Sequence, residues 1–348
     1  MAAMPISVLD LALVGRGETV RQALDGCVTL AQRAEALGYE RVWYAEHHNM
    51  KTIASSATAV LIAHVAAHTE RIRLGSGGVM LPNHAPLTVA EQFGTLAELH
   101  PGRIDLGLGR APGTDQQTFR ALRRELAAAH AFPDDVLELQ GYLGDDTRVP
   151  GVRATPGTGT HVPLYILGSS HFGAQLAAGL GLPYAFASHF APQALRSAVR
   201  IYRDEFRPSA QLATPYVIAG LNVIVADSDA EADEQLQATR RSRVRLLFGR
   251  GGRRFSDHEA DQVLASPQGA AVDEMLTYTA CGTRQAVRDQ LHAFAERADA
   301  DEVIVALQGP TLDDRIRSLE LLADAVLAPP GQRRAGTPQP TGSSPASA

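Results

Sequence analysis

The sequence predicts an α/β protein of the (β/α)8 TIM-barrel class, with loop insertions at the C-terminal face of the barrel. Three observations predict it. Strand-like and helix-like patterns alternate along almost the whole chain, with eight strand-like runs. The 348 residues, 45% of them hydrophobic, suffice for one large barrel and its core. Gly, His, Asn, Pro and Arg gather where the strand-like runs end, most densely in residues 71–114, and barrel enzymes place their active sites at those strand exits.

The elements follow in order. Residues 7–13 read as a strand and 19–37 as an amphipathic helix stopped by Gly38. A strand over 41–45 and a helix over 56–68 come next, then strand 72–80, helix 87–99, strand 104–108 and helix 116–129. Residues 131–160, rich in Asp, Gly and Pro, read as an extended loop with a short hairpin. Strand 163–167, helix 172–180, strand 184–187, helix 192–206, strand 216–226 and helix 230–247 continue the rhythm. Residues 249–273 carry glycines and arginines with few apolar residues and read as a mobile lid. Helix 283–297, strand 302–307 and helix 312–327 complete a single barrel domain over 1–328. Residues 329–348 are almost devoid of apolar side chains and are expected to be a disordered tail.

Composition removes several function classes. A net charge of −6 without a basic stripe gives no expectation of nucleic acid. Lys51 is the only lysine, which argues against Schiff-base chemistry anywhere else in the chain. Cys27 and Cys281 form neither a metal-binding spacing nor a disulfide framework, as suits a reducing cytoplasm. No secretory signal and no apolar run long enough for a membrane span is legible. No G-x-G-x-x-G opens a helix after a strand, because Gly107-Leu108-Gly109 is followed by Arg110 and Pro112. There is also no Walker loop and no G-x-S-x-G elbow.

Three strand exits and one strand interior carry residues suited to chemistry. Arg110 follows the strand over 104–108, where a guanidinium can grip a phosphate through two hydrogen bonds or form a rim salt bridge. Ser169 and Ser170 precede a helix, as simple N-caps or as an anion site built on the helix start. Glu46-His47-His48-Asn49 follows the second strand, and a histidine there suits a general base or a structural hydrogen bond. The spacing shows no zinc partner, since His84 and His100 belong to other segments. Gly75-Ser76-Gly77-Gly78 falls inside a strand pattern, the signature of a bulge or of close approach by a flat ligand.

Taken together, Ala45-Glu46-His47-His48-Asn49, the run Gly75–Pro86, Gly107-Leu108-Gly109-Arg110-Ala111-Pro112-Gly113, Leu167-Gly168-Ser169-Ser170 and Gly181-Leu182-Pro183 resemble the bacterial luciferase-like, FMN-dependent monooxygenase family over residues 7–327. The wording is closest to a single-chain subgroup found with natural-product gene clusters. The resemblance implies a (β/α)8 barrel that binds reduced FMN supplied by a separate NAD(P)H:flavin reductase. It further implies reaction with O2 through a C4a-(hydro)peroxyflavin, a small organic substrate and a homodimer in the cytoplasm. By position, His47 resembles the family's active-site histidine, Ser76–Gly77 its non-prolyl cis peptide, and Arg110 with Ser169 and Ser170 its phosphate site. Gly109 stands where the light-emitting chain has a cysteine, which argues against light emission and leaves flavin binding intact. Ser188 stands near the ring where some members carry an aromatic residue. The alternatives are a deazaflavin-dependent dehydrogenase and a non-catalytic flavin-binding barrel.

Overall fold

The computed structural model describes residues 4–15, 17–111, 116–249 and 254–327. Its strands are β1 (Ile6–Asp10), β2 (Arg41–Tyr44), β3 (Arg73–Met80), β4 (Ile104–Gly109), β5 (Leu164–Gly168), β6 (Tyr184–Phe186), β7 (Val217–Val225), β8 (Thr279–Gly282) and β9 (Glu302–Leu307). All pair in parallel. Strands β1 to β7 follow one another around a ring, and β9 closes it by pairing with both β7 and β1. Its helices are α1 (Val20–Leu37), α2 (Thr58–Ala66), α3 (Pro86–Leu99), α4 (Gln116–Ala121), α5 (Phe132–Leu143), α6 (His171–Leu180), α7 (Leu195–Glu205), α8 (Asp229–Phe248), α9 (Asp257–Leu264), α10 (Gly269–Met275), α11 (Arg284–Ala298) and α12 (Leu312–Val326). The expected (β/α)8 barrel is therefore present.

Strand alternation divides the core in two. Outward residues such as Val8, Val42, Leu74, Leu106, Ile166 and Val305 join the helices in one continuous apolar shell. Inward residues Leu9, Trp43, Tyr165, Ala185, Ile218 and Ile304 fill the ring as a separate cluster. Below that cluster, at the strand starts, lies a buried ionic layer. Arg41 donates to both oxygens of Glu302 (2.9 and 3.0 Å) and to Asp105 Oδ2 (2.8 Å). Arg73 grips the other Asp105 oxygen through Nε (3.1 Å) and Nη2. Trp43 Nε1 adds a bond to Asp105, and Tyr216 donates to Glu302. Burial opposes the Asp105 carboxylate, but Arg73 and Arg41 outweigh it, so its carboxyl is held below the ordinary range.

The first helix illustrates how local sequence sets the boundaries. Thr19 and Gln22 form a reciprocal capping box at the start of α1, and Gly38 ends it with φ of 81°, a left-handed conformation favourable to glycine. Four expectations need correction. The helix expected over 116–129 stops at Ala121; Arg123 turns left-handed (φ 56°) and a short 3-10 turn covers Leu126–His130. The loop expected over 131–160 opens with α5, whose Phe132, Val136, Leu139 and Leu143 bury one face at helical spacing while Asp134 and Asp135 favour its first turn. The segment 249–273, read as lacking regular structure, contains α9 and α10. Strand β8 was not expected, because it is only four residues long and half of them are partly exposed. The tail 329–348 lies outside the described residues.

The β7 strand outruns its neighbour. Strand β6 pairs with Val217 to Ala219, whereas β8 pairs with Asn222 to Val225. β8 thus extends the sheet beyond the end of β6, at the C-terminal face. α8 to α10 belong to this extension. Among the described residues no helix is long and apolar enough to cross a membrane.

Candidate functional site

The C-terminal rim is built on close contact between β3 and β4. A Cβ at Gly107 would overlap the Ser76 carbonyl oxygen, and one at Gly78 would lie 2.7 Å from the Gly107 oxygen. The register shifts between Ser76 and Val79, which is the expected bulge. The non-prolyl cis bond is Gly77–Gly78, one residue beyond the expected Ser76–Gly77. Ser76 is buried, and its hydroxyl donates to the Gly107 carbonyl (2.8 Å), so it ties the two strands together. Gly109 lies beneath Met80: a Cβ there would come 2.9 Å from the Met80 sulfur. A cysteine at position 109 would therefore have to displace Met80.

Glu46, buried at the exit of β2, organises the neighbouring loops. It accepts from His48 Nε2 (2.7 Å), Asn83 Nδ2 (3.1 Å) and the Met80 backbone N–H (2.9 Å), and His84 Nε2 lies 2.9 and 3.0 Å from its two oxygens. Burial disfavours its charge, yet His48, His84 and the Met80 N–H together bring its carboxyl down to about 2. The bond to Glu46 raises His48 in turn. Sequence reasoning placed His84 in an unrelated segment; the fold brings it onto the same carboxylate as His48. Among the described residues no group of three or more His, Cys, Asp and Glu could hold a metal ion.

His47 is separate from this cluster. Its backbone N–H donates to Ser55 O (3.0 Å), while its side-chain Nδ1 is buried and has no hydrogen-bond partner. Burial lowers its pKa, Glu46 opposes the shift and His48 adds to it, which leaves a neutral imidazole near pH 7. His189, beyond β6, also has a buried, unpartnered Nδ1. Burial, the Arg243 charge and His47 push its pKa down to about 3. Gly220 makes room for this ring, because a Cβ there would collide with His189 Nδ1. Ser188 is buried and donates to the Gly220 carbonyl (2.6 Å), and Asn222 Nδ2 donates to His189 O (2.5 Å). Sequence reasoning missed His189, Asn222, Gln308 and Arg243; only their places beside strand exits could have marked them.

These two depressed histidines set a pH dependence. A histidine held neutral in the folded state binds fewer protons than the unfolded chain, so its stabilisation is present above the ordinary histidine range and lost on acidification. For His189 the window runs from about 6.5 down to about 3. His48, raised, acts in the opposite sense: its contribution is lost as pH rises through its pKa. The melting temperature should therefore fall between pH 7 and pH 5, and His189→Gln should show a shallower fall. Equal slopes in thermal melts of the two proteins would refute the assignment.

The exits of β4 and β5 meet. The Arg110 guanidinium carbon stacks 4.1 Å from the centroid of the Phe172 ring, in the first turn of α6. Ser170 is the exposed N-cap of that helix and makes no side-chain capping bond, Ser169 is half-buried, and the first N–H groups of the helix lack intrahelical acceptors. Arg110 thus stacks on the first turn of α6, two residues beyond Ser170. Pro112 and Gly113 lie outside the described residues. These features fit a flavin mononucleotide: a cation and a helix start for the phosphate, a glycine-built rim for a flat ring, and an unpartnered imidazole.

Known proteins agree with this architecture. The family model described as luciferase-like monooxygenase matches residues 4–301. A luciferase-like monooxygenase of Escherichia coli strain K12 is 46% identical over 320 residues, covering 91% of this chain and 96% of that protein. The N-acetyl-S-alkylcysteine monooxygenase of Bacillus subtilis strain 168 is 34% identical over 333 residues, with 93% and 98% covered. The crystal structure of apo-MsnO8 superposes with a TM-score of 0.83 at 36% identity, over 92% of this chain and 98% of the other. At 17% identity the fold alone is shared with the oxygenating constituent of 3,6-diketocamphane monooxygenase from Pseudomonas putida, solved with FMN (TM-score 0.71; 93% and 98% covered). It is likewise shared, also at 17%, with an F420-dependent secondary alcohol dehydrogenase (TM-score 0.69; 94% and 100% covered).

Proposed function

The chain belongs to the luciferase-like monooxygenase family, and on that premise we propose that it is a flavin-dependent monooxygenase using reduced FMN. One oxygen atom of O2 goes to a small organic substrate and the other leaves as water, while reduced FMN becomes FMN. The observation that carries this reading is the joining of Arg110 to the start of α6 on the same barrel rim as the unpartnered His47 imidazole. When bound, the reduced flavin supplies two electrons and the site of oxygen activation.

The chain's own residues do the rest. Arg110 and the α6 start hold the phosphate through charge-assisted bonds and backbone N–H groups. Gly77, Gly78 and Gly109 pack against Leu9, Gly107 and Met80, which shapes the rim that a flat ring would meet. His47, neutral and half-buried with its Nδ1 enclosed, accepts or returns a proton at that atom. The α9–α10 hairpin is the lid in this reading and keeps water from the reacting centre. It packs on α8 through Val244, Phe255, Ala260, Val272 and Leu276, and Gln193 near α7 reaches Glu274 on it (2.7 Å). With no dinucleotide-binding pattern in the chain, the reading includes a separate NAD(P)H:flavin reductase as electron donor. It also includes a homodimeric enzyme acting in the cytoplasm, with natural-product metabolism as one source of substrates to screen.

The test is anaerobic titration with photoreduced FMN, then O2 and a substrate panel of aldehydes, amines and N-acetyl-S-alkylcysteines, the class named for the Bacillus relative. Substrate-dependent oxygenated product supports the reading. Binding of a reduced deazaflavin instead, with oxygen-independent hydride transfer, would replace it with the dehydrogenase. Tight binding of oxidised FMN without turnover would leave a flavin-binding protein. Arg110→Ala should weaken reduced FMN by about 10- to 100-fold, the worth of hydrogen bonds to a charged group, while riboflavin binding changes little. An unchanged preference for FMN over riboflavin in fluorescence titrations would remove Arg110 from the phosphate site.

A further inference from the structure

The four arginines of α8 do not share one fate. Arg240 pairs with Asp273 (2.7 Å), Arg241 with Asp261 (2.7 Å) and Arg245 with Asp257, so three of them strap the α9–α10 hairpin to α8. Arg243 has no carboxylate partner among the described residues. Its Nη2 donates to Gln308 Oε1 (2.9 Å), and its Nε is buried without a hydrogen-bond partner. Gln308 follows β9 directly. It is oriented by Nε2 donating to the Ala306 carbonyl (3.1 Å), and its own carbonyl receives Thr239 Oγ1 (3.0 Å). These bonds draw the α8 face bearing Thr239 and Arg243 onto the barrel rim. Around the same rim stand His189, which feels the Arg243 charge, and Asn222, whose Oδ1 is also buried and unpartnered.

A half-buried guanidinium is costly unless an anion answers it. In the base of this barrel Arg41 and Arg73 are both answered by carboxylates. At the rim, burial acts on Arg243 and lowers its pKa, with no acidic group among the described residues opposing. We propose that Arg243, held by Gln308, is the receptor for an anionic group of the substrate, so that the enzyme acts on small organic carboxylates. The inference rests on the monooxygenase reading for the word substrate, but not for the binding site itself. The phosphate of the cofactor is served elsewhere, at the exits of β4 and β5. Arg243 acts instead beside the exits of β6 and β9, with two hydrogen-bond donors in a planar fork that matches a carboxylate.

The test compares N-acetyl-S-alkylcysteines and N-acetyl amino acids with their methyl esters by calorimetry, on the full chain saturated with FMN. Wild type should bind at least one acid tenfold or more better than its ester. Arg243→Met should lose that preference by about 10- to 100-fold, Arg243→Lys should keep part of it, and FMN affinity by fluorescence should stay within about twofold in both. Gln308→Leu, which removes the orienting carbonyl without touching the charge, should weaken the acid and spare the ester. Three results would overturn the proposal: acids and esters binding alike to wild type, an acid preference that survives in a folded Arg243→Met, or FMN affinity falling in place of acid affinity. The last would assign the anion to the flavin. Acid binding that follows Arg243, without any oxygenated product, would retain the receptor and sink the monooxygenase reading alone.

Discussion

Asp105→Asn should destabilise the protein by about 3–5 kcal/mol, the usual cost of removing one partner from a buried ion pair. The base layer contains two guanidinium groups, Arg41 and Arg73, and two carboxylates, Asp105 and Glu302, all buried. Asp105 is the group common to both arginines and to Trp43 Nε1. An asparagine keeps the volume and leaves an unanswered positive charge inside the ring. The inward-facing positions around it are occupied by Trp43 and Tyr165, so water has no easy route in. The urea midpoint at pH 7 should fall sharply with little change in m. Glu70→Gln, at an exposed site, should shift it by no more than about 0.5 kcal/mol. A shift under about 1 kcal/mol for Asp105→Asn would show that the layer does not depend on its charge balance.

His47→Ala should lower oxygenated product formation by about 10²- to 10⁴-fold, the range in which a positioned acid–base group contributes. Reduced FMN binding should change by no more than about threefold, because the proposed phosphate contacts are at Arg110 and the α6 start, away from His47. The oxygen consumed should then appear as hydrogen peroxide, so the informative number is product per O2. His47→Gln should keep the shape and lose the titration, flattening the acid limb of the product yield. The sign follows from the lowered pKa: His47 works in its neutral form, and the yield should fall as pH drops through a value below the ordinary histidine range. Unchanged product per O2 in either variant would take His47 out of the proton path.

The parts of this protein that the sequence made legible are those fixed by short-range rules. Apolar strand-like runs marked every strand of the ring, and Thr19 with Gly38 bounded α1. The clusters at strand exits drew attention to His47, Arg110 and the Ser169–Ser170 turn, all of which lie on the C-terminal rim. What stayed hidden depends on contacts between distant segments. Glu46 gathers His48 and His84 from either side of β3, which no local pattern announces. Arg243 looks like one more charge on a polar helix until its three neighbours are seen to be paired and it is not. The Asp- and Gly-rich composition of 131–160 concealed the apolar spacing of α5. The cis bond was misplaced by one position because a run of three glycines around Ser76 offers no side chain to fix the register.

The ionic layer and the rim occupy opposite ends of the same eight strands, and this separation bears on how such a protein can diverge. The charges that lock the strand starts are far along the strands from His47, His189 and Arg243. Selection can therefore rebuild the mouth for a new substrate without spending the stability invested in the base. The same separation predicts that Arg41, Arg73, Asp105 and Glu302 can change only together, while α8 and its hairpin are free to change one residue at a time.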